Sequence, residues 1–255
     1  MVDGTWSLAG LCCESFALNS AILTTMKLHN YFRSSASFRV RIAMALKGLP
    51  YDYMPVHLPS GGHKKSDYAS LSADQLVPLL DLETHAPDGS GPVLLSQSLA
   101  IMEYLDETHP ARPALLPADA LGRARVRALA QSIACEIHPL NNLRVLKYLV
   151  KDLKVDEDTK NAWYRHWVRE GLLSFERQLQ LIEAQRQKAG LPASIYCYGD
   201  TPTLADCCLV PQIFNGQRFN CDFTGLTRTM AAFEACMKLP AFVAAEPKNC
   251  PDFEA

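Results

Sequence analysis

Several features that define common protein classes are missing from this 255-residue chain. No stretch approaches the roughly 20 consecutive apolar residues that cross a bilayer. The nine cysteines contain no C-x-x-C spacing, and the adjacent pairs Cys12-Cys13 and Cys207-Cys208 are poorly placed for disulfides or metal chelation. There is no glycine-rich phosphate loop, and the net charge of −2 disfavours nucleic-acid binding. We therefore expect reduced thiols in a cytoplasmic protein that binds no metal, membrane or nucleic acid.

The first 25 residues also contain no lysine or arginine. A secretory signal begins with a basic segment and a transit peptide is rich in arginine, so neither is favoured. The segment is mildly apolar, with Asp3 and Glu14 on either side of its apolar part. We expect residues 1–25 to form a dispensable extension with weak local order.

From Met26 onward, strand and helix patterns alternate. Strand-like runs cover residues 27–32, 51–58, 79–82 and 93–95, and helical runs cover residues 35–48, 63–71 and 97–107. The resulting order β-α-β-α-β-β-α predicts a thioredoxin-like domain over residues 26–109, with a mixed sheet and helices on both faces. Residues 83–92 are rich in proline and glycine and are predicted to form a long exposed turn.

The remainder of the chain has helical patterns only. Pro110, Pro113 and Pro117 indicate a linker over residues 110–117. Apolar residues at three- and four-residue spacing predict helices over residues 119–150, 158–189, 203–214 and 224–237. Thr203 and Asp206 have the spacing of a capping box, which is a folding element and not a catalytic pair. Residues 118–255 are therefore predicted to be an all-helical domain, and the chain to be α/β plus all-α.

The most informative segment joins the first strand to the first helix. After the strand-like run that ends at Phe32 come Arg33, Ser34 and Ser35, and the helical pattern then begins at once. A helix N-terminus carries free N–H groups and partial positive charge, which stabilise an anion and lower the pKa of a thiol. Because Ala36 stands where a cysteine is expected, the thiol must arrive on a ligand, which indicates glutathione. The alternative is that the serines only cap the helix.

Sequence motifs beyond this segment support the same interpretation. The run Ser34-Ser35-x-Ser37-x-Arg39-Val40-Arg41-Ile42-Ala43 resembles the signature of the zeta-class glutathione transferases, the family of maleylacetoacetate and maleylpyruvate isomerases. Further segments of the family pattern follow in the expected order: Leu76-Val77-Pro78, Ser96-Gln97-Ser98-Leu99-Ala100-Ile101, His138-Pro139-Leu140-Asn141-Asn142-Leu143-Arg144 and Gly199-Asp200-Thr201-Pro202-Thr203-Leu204-Ala205-Asp206. In many members a cysteine replaces Ala36 and a tryptophan replaces Phe38. The resemblance implies the glutathione transferase fold with glutathione as cofactor, and we further expect a homodimer.

The resemblance also implies which residues hold glutathione. One of the two serines donates to the sulfur; we favour Ser34, which heads the motif, and Ser35 is the alternative. A cis bond between Val77 and Pro78 lets the Val77 backbone pair with the cysteinyl part. At the next helix N-terminus, two residues hold the γ-glutamyl carboxylate: Gln97 and Ser98.

Gln75 and His63 are weaker candidates for glutathione contacts. Gln75 precedes the cis-proline segment, and His63 either neutralises the glycyl carboxylate or is an exposed loop histidine. His138 and Asn142 are implied to approach glutathione from a segment that fits a helix interior badly, because Pro139 there costs about 3 kcal/mol. The alternative is a purely structural kink with surface asparagines.

Three arginines carry the substrate prediction. Arg33 lies just before a helix N-terminus, where a cation opposes the helix dipole and needs an anionic partner. The resemblance places Arg33, Arg144 and Arg218 around one pocket. Arginine binds carboxylates through paired hydrogen bonds, so the cluster favours a dianionic substrate. Arg39 and Arg41 are instead predicted to form structural ion pairs or to lie on the solvent face of the first helix.

These residues predict nucleophilic catalysis in which the nucleophile belongs to the cofactor and not to the protein. Addition of the glutathione thiolate to a conjugated C=C bond allows rotation, and elimination then gives the trans isomer. Three hypotheses follow: a glutathione-dependent isomerase of maleylacetoacetate, with maleylpyruvate as a close alternative; a general transferase or dehalogenase; and a non-catalytic glutathione-binding protein. The intact serines and arginines favour the first hypothesis, an isomerase that acts in the catabolism of aromatic compounds.

Overall fold

A computed structural model of the protein describes residues 25–86, 89 and 91–254. The predicted N-terminal extension, residues 1–25, lies outside the described residues except for Thr25. Four strands form one sheet in the order β2-β1-β3-β4: β1 (Met26–Asn30), β2 (Tyr51–Pro55), β3 (Leu79–His85) and β4 (Pro92–Ser96). Strand β2 is parallel to β1, whereas β3 is antiparallel to both β1 and β4.

The sheet is accompanied by three α-helices: α1 (Ser35–Lys47), α2 (Ser66–Ala69) and α3 (Ser98–Thr108). This is the predicted thioredoxin-like arrangement, and the implied cis bond between Val77 and Pro78 is also confirmed. The predicted long turn is shorter than expected, because β3 continues to His85, which pairs with Pro92 at the start of β4.

Every regular element that the structure describes after α3 is helical, as predicted. The α-helices are α4 (Ala120–Gln131), α5 (Leu143–Lys151), α6 (Glu157–Lys188), α7 (Leu204–Arg218), α8 (Thr227–Cys236) and α9 (Pro240–Ala244). The capping box before α7 is confirmed, because the backbone N–H and the hydroxyl of Thr203 each donate to Asp206 over 2.8 Å. Among the described residues, no helix has the length and apolar character that crossing a bilayer requires.

The single helix predicted over residues 119–150 is wrong. Helix α4 ends at Gln131, and a π-helical turn (Ser132–Ile137) and a 3-10 turn (His138–Asn141) separate it from α5. Pro139 has no N–H to donate, and Asn142 then starts a new helix by accepting a hydrogen bond from the Arg144 N–H over 3.1 Å. The break therefore places His138 in a turn instead of on a continuous helix.

Helix α1 lies between the sheet and the helical part of the chain, where it contacts α7 and α9. Its residues from Ser37 to Met44 are all buried, because both of its sides are covered. Lys47 at its end binds Asp106 of α3 over 2.8 Å, and Arg127 of α4 binds Glu103 over 2.6 Å. Glu103 and Asp106 therefore tie α3 to its two neighbouring helices. The candidate site residues lie at the opposite ends of α1 and α3, around the N-termini of the two helices.

Candidate active site

The first group of candidate residues lies at the N-terminus of α1. Ser34 is the N-cap, and its Oγ accepts a hydrogen bond from the Ser37 N–H over 3.2 Å. Ser34 therefore caps the helix, and because a hydroxyl that accepts one bond still has its own proton to donate, its role toward the glutathione sulfur stays a prediction. No acidic side chain lies in the first turn of α1. The positive end of the helix dipole is thus left available to an anion.

Ser35 is bound differently, by a residue from the end of α7. The Asn215 Nδ2 donates to the Ser35 Oγ over 2.6 Å, and the Asn215 Oδ1 accepts from the Arg218 Nη1 over 3.0 Å. Arginine has only donors, so the atom facing it must be the amide oxygen, and this fixes the orientation of the amide. The Ser35 Oγ accepts from Asn215 and keeps its own proton for another partner. The three side chains thus form a directed chain from Arg218 to Ser35.

Arg33 and Arg218 lie near each other beside this chain. Loss of hydration and the nearby charge of Arg33 lower the pKa of Arg218. Arg33 is exposed and donates from Nη2 to the backbone carbonyl of Glu254 over 3.2 Å. Within residues 25–86, 89 and 91–254, neither arginine has a carboxylate within ion-pair distance. The two guanidinium groups therefore provide positive charge that the described side chains do not balance.

The second group lies deeper, around the N-terminus of α3. The Arg39 side chain extends from α1 and donates from Nη1 to the Ser98 Oγ over 3.2 Å. Its Nη2 lies 3.0 Å from the His138 Nδ1. Arg39 and Arg41 are each only 2% exposed and form no ion pair among the described residues. The prediction that they form ion pairs or face solvent is therefore wrong, because α7 and α9 cover the side of α1 that faces away from the sheet.

The His138 ring is neutral in this environment. Removal from solvent, followed by the positive charges of Arg39 and Arg144, lowers the pKa of His138 to about 3. Arg144, which is exposed at the start of α5, is thus close to His138. The charge of Arg33 acts on Arg218, whereas the charge of Arg144 acts on His138. The placement of all three arginines around one pocket stays a prediction.

Strained backbone marks two of the other predicted cofactor residues. Gln97 is the N-cap of α3 with a φ of 67°, and Gln75 has a φ of 53°. Such positive values are unfavourable for residues other than glycine and are common at functional sites. Asp74, which precedes Gln75 in the chain, accepts a hydrogen bond from the Gln97 Nε2 over 3.5 Å. Val77, with its cis bond to Pro78, follows directly, so this edge of the sheet presents backbone groups beside the N-terminus of α3.

His63 and Asn142 lie toward α5. His63 is in a short 3-10 turn (Gly62–Lys64), and its pKa is lowered by burial and by the charges of Lys147 and Lys64. Its Nδ1 is buried without a hydrogen-bond partner among the described residues. Asn142 caps α5, which supports the structural alternative for that residue. Both residues keep their predicted glutathione roles as predictions.

The sequence analysis missed two residues that organise the site. Asn215 precedes Arg218 at i, i+3 spacing near the end of an apolar helix, which is a weak signal for a paired role. Arg39 was part of the quoted signature but was assigned to the fold. The contact of Asn215 becomes visible only when α7 is packed against the start of α1, and the contacts of Arg39 only when α3 and the turn at His138 are in place.

The donors at the two helix N-termini fit a peptide that carries a thiol and carboxylates. The hydroxyls at α1 suit a thiolate, and the Ser98 hydroxyl with the buried Arg39 cation suits a carboxylate. The Arg39 Nε is buried without a hydrogen-bond partner among the described residues. Glutathione has this combination of groups.

Comparisons with known proteins agree with this architecture. Residues 33–108 match the family model described as "Glutathione S-transferase, N-terminal domain". The chain is 46% identical to maleylpyruvate isomerase of Ralstonia sp over 227 residues, which is 89% of this chain and 99% of the relative. It is 41% identical to maleylacetoacetate isomerase of Pseudomonas aeruginosa over 232 residues, which is 90% of this chain and the whole of the relative.

Two solved structures show the same fold. The holo structure of a bacterial zeta-class maleylpyruvate isomerase superposes with a TM-score of 0.78 at 44% identity and covers 89% of this chain and 100% of that one. A maleylacetoacetate isomerase from Anaeromyxobacter dehalogenans, with bound dicarboxyethyl glutathione and citrate, has a TM-score of 0.76 at 38% identity and covers 91% and 98%. A thioredoxin-like sheet followed by helices, with hydroxyls at the head of the first helix, defines a glutathione transferase. The chain belongs to the zeta class of this family.

Proposed function

We propose that this protein is a glutathione-dependent cis–trans isomerase of a conjugated dicarboxylate. Maleylacetoacetate, converted to fumarylacetoacetate, is our first choice of substrate and maleylpyruvate the second. Both compounds carry a maleyl group and two carboxylates. The assignment therefore depends on a site that combines a thiolate with positive charge.

The observation that carries the proposal is the pair formed by Arg33 and Arg218. These cations lie beside the Ser35 hydroxyl, which Asn215 connects to Arg218. Among the described residues they have no carboxylate partner. Two adjacent guanidinium groups repel each other and are satisfied by an anion with more than one charge. A neutral electrophile leaves this repulsion in place.

The side chains then act on the reaction in separate ways. Bound glutathione supplies the thiolate that adds to the double bond, permits rotation and is eliminated again. The Ser34 or Ser35 hydroxyl donates to the sulfur, and the N-terminus of α1 adds the helix dipole. Arg33 and Arg218 hold the substrate carboxylates and stabilise the negative charge that develops on the substrate. His138, Ser98, Gln97 and Val77 bind the peptide.

The comparisons support this proposal from a second direction. Relatives named maleylacetoacetate or maleylpyruvate isomerase match about nine tenths of the chain at 37–46% identity. Dicarboxyethyl glutathione, bound in the Anaeromyxobacter dehalogenans structure, carries two carboxylates in addition to those of glutathione itself. Its chemistry is that of thiol addition to an unsaturated dicarboxylate.

The test follows the disappearance of maleylacetoacetate and of maleylpyruvate by absorbance, with and without glutathione. We expect isomerisation of at least one compound that depends on glutathione, with glutathione unchanged in amount at the end. Equal rates with and without the thiol would remove the isomerase assignment. Consumption of glutathione with a neutral aromatic halide, and no activity on either dicarboxylate, would favour a general transferase.

The proposal also includes the location of the protein, its oligomeric state and its division into domains. We infer a cytoplasmic homodimer in which residues 26–109 and 118–255 form separate domains joined by residues 110–117. The location agrees with a thiol-rich chain that is expected to be reduced. Light scattering tests the dimer, and limited proteolysis tests cleavage between residues 110 and 117.

A further inference from the structure

Arg39 is a buried cation with an unusual set of partners. It is 2% exposed, and among the described residues its hydrogen-bond partners are the Ser98 Oγ and the His138 Nδ1. Both partners are neutral, and the third donor, Nε, has no partner among the described residues. Burial lowers the pKa of Arg39, which reflects the cost of holding its charge away from water.

Arg41, on the same helix, shows what a purely structural arginine looks like in this protein. It is equally buried, but its guanidinium donates to the carbonyls of Ala245 and Phe32 and to the Asn30 Oδ1, each over 3.1 Å. All of its three donor nitrogens have oxygen partners that belong to the fold. Arg39 differs because its partners are two residues of the candidate site.

The donor-only chemistry of arginine fixes the protons on both partners. The Ser98 Oγ accepts from Arg39, so its own proton points away from Arg39. The His138 Nδ1 also accepts, so a neutral ring must carry its proton on Nε2. Both residues thereby present a donor on the side opposite to Arg39.

We propose that Arg39 is a positioning residue for glutathione: it orients the Ser98 hydroxyl and the His138 Nε2–H as donors, and its buried charge is balanced by the α-carboxylate of the γ-glutamyl group. This inference rests on the proposed glutathione dependence. It also explains why an arginine without a carboxylate partner lies behind the N-terminus of α3. The ligand completes an ion pair of which the protein supplies only one half.

The first test uses the unmodified protein and measures the nitrogen chemical shifts of the His138 ring by NMR, with His138→Gln to assign the signal. We expect a neutral ring protonated on Nε2 from about pH 5 to about pH 8. A ring protonated on Nδ1, or charged in this range, would overturn the proposal. This measurement does not depend on the folding of any arginine variant.

The second test measures binding by calorimetry for the wild type, Arg39→Met and Arg41→Met, below the unfolding temperature of each. Two ligands are compared: glutathione, and the analogue in which 4-aminobutyrate replaces the γ-glutamyl group and so lacks its α-carboxylate. Loss of a charged hydrogen bond predicts that Arg39→Met weakens glutathione binding by about 10- to 100-fold. The analogue is expected to lose much less affinity, because it cannot use the charge.

The matched variant separates this role from a structural one. Arg41→Met is expected to lower stability without changing the ratio of the two affinities, and Arg39→Lys is expected to recover part of the lost affinity because it retains the charge. If Arg39→Met and Arg41→Met reduce both affinities alike, Arg39 is structural. If the wild type itself does not bind glutathione, the proposed function fails, and that outcome is distinct from failure of the Arg39 proposal alone.

Discussion

Arg39 and Arg33 belong to the same short segment, yet one is 2% exposed and the other lies at the surface. Arg39 donates to two side chains of the candidate site, whereas Arg33 donates to the backbone carbonyl of Glu254. A buried guanidinium must keep its partners, because water cannot replace them. An exposed guanidinium can exchange a carbonyl for a substrate carboxylate at little cost. The deep region, formed by Arg39 with Ser98 and His138, is therefore suited to positioning the cofactor. The outer region, formed by Arg33 and Arg218, is suited to selecting the substrate.

The N-terminus of α1 lies between these two regions. Ser34 is tied to its own helix and Ser35 to Asn215 of α7. The serines therefore connect the part of the site that we assign to glutathione with the part that we assign to the dicarboxylate. Substitutions in each region should change different measurable quantities.

The largest effect on activity is expected at the serines, where both regions meet. Ser34→Ala should lower turnover by about 10²- to 10³-fold, as is typical when a donor to a developing or reactive anion is removed. Glutathione affinity should stay within several-fold, because the rest of the peptide keeps its contacts. The measurement is kcat for the isomerase reaction together with the thiolate absorbance of bound glutathione.

Ser37→Ala provides the control, since the Ser37 Oγ is buried in the same helical turn without a hydrogen-bond partner among the described residues. We expect its turnover to remain close to that of the wild type. Unchanged turnover in Ser34→Ala, with a large loss in Ser35→Ala, would transfer the role to the hydroxyl that Asn215 holds.

The next effect concerns the outer arginines. Methionine at Arg33 or Arg218 removes the charge and should raise KM for the dicarboxylate by about 10- to 100-fold, the value of one charged hydrogen bond. Arg144→Met should have a smaller effect, because the charge of Arg144 acts on His138, whereas the charge of Arg33 acts on Arg218. Conjugation of a neutral aromatic halide should be spared. The decisive quantity is the ratio of the two activities in each variant.

Arg169→Met is the matched control for charge removal, because Arg169 on α6 donates to the carbonyls of Asp222 and Thr224 in the loop between α7 and α8. Its activity ratio should equal that of the wild type. If both activities fall together in Arg33→Met and in Arg218→Met, the pair is structural and the dicarboxylate assignment loses its main support.

The fold was predictable from the sequence where local signals and packing agree. Proline, glycine and the alternation of strand and helix patterns place β1 to α3 correctly, and the capping box marks the start of α7. The helix over residues 119–150 was wrong because apolar spacing continues through Pro139, while the missing N–H and the Asn142 cap break the backbone there. The spacing of apolar residues shows which side chains share a helix face, but it does not show whether the backbone hydrogen bonds of the helix are interrupted.

The site was predictable only in part, for a different reason. The serines and the cis-proline segment are recognisable because their neighbours in sequence are also their neighbours in space. The partners of Arg39 and Ser35 come from His138 and Asn215, which are distant in sequence. A helix covered on both faces has no amphipathic pattern that shows which arginine faces a site. Sequence alone therefore could not separate Arg39 from Arg41.

Asn215 offers a smaller and sharper test of how the two regions are connected. Asn215→Ala should lower kcat/KM for the dicarboxylate by about 5- to 10-fold, since it releases both Ser35 and Arg218 from one hydrogen bond each. Asn215→Asp should be worse, because a carboxylate pairs with Arg218 and accepts the Ser35 proton that the thiolate needs. Asn249→Ala, which removes an exposed bond to the Val243 carbonyl, is the control. A value for Asn215→Asp equal to that of the wild type would show that the connection has no role.

The smallest effect on activity is expected at Asp252 in the C-terminal segment. Its carboxylate accepts from the Phe32 N–H over 3.3 Å and from the Tyr53 hydroxyl, and Phe253 packs edge-on against Phe32. Asp252 thus anchors the residue next to Arg33 without binding the arginine itself. Asp252→Ala should lower the free energy of unfolding in urea by about 1–3 kcal/mol, because it leaves the Phe32 N–H and the Tyr53 hydroxyl without this acceptor.

The same variant should keep kcat/KM for the dicarboxylate close to the wild-type value at temperatures where it is folded. Asp252→Asn retains one acceptor oxygen and should recover part of the stability. A rise in KM as large as that of Arg33→Met, without a loss of stability, would place the C-terminal segment in the substrate site. The residues that select the substrate would then include Asp252 as well as Arg33.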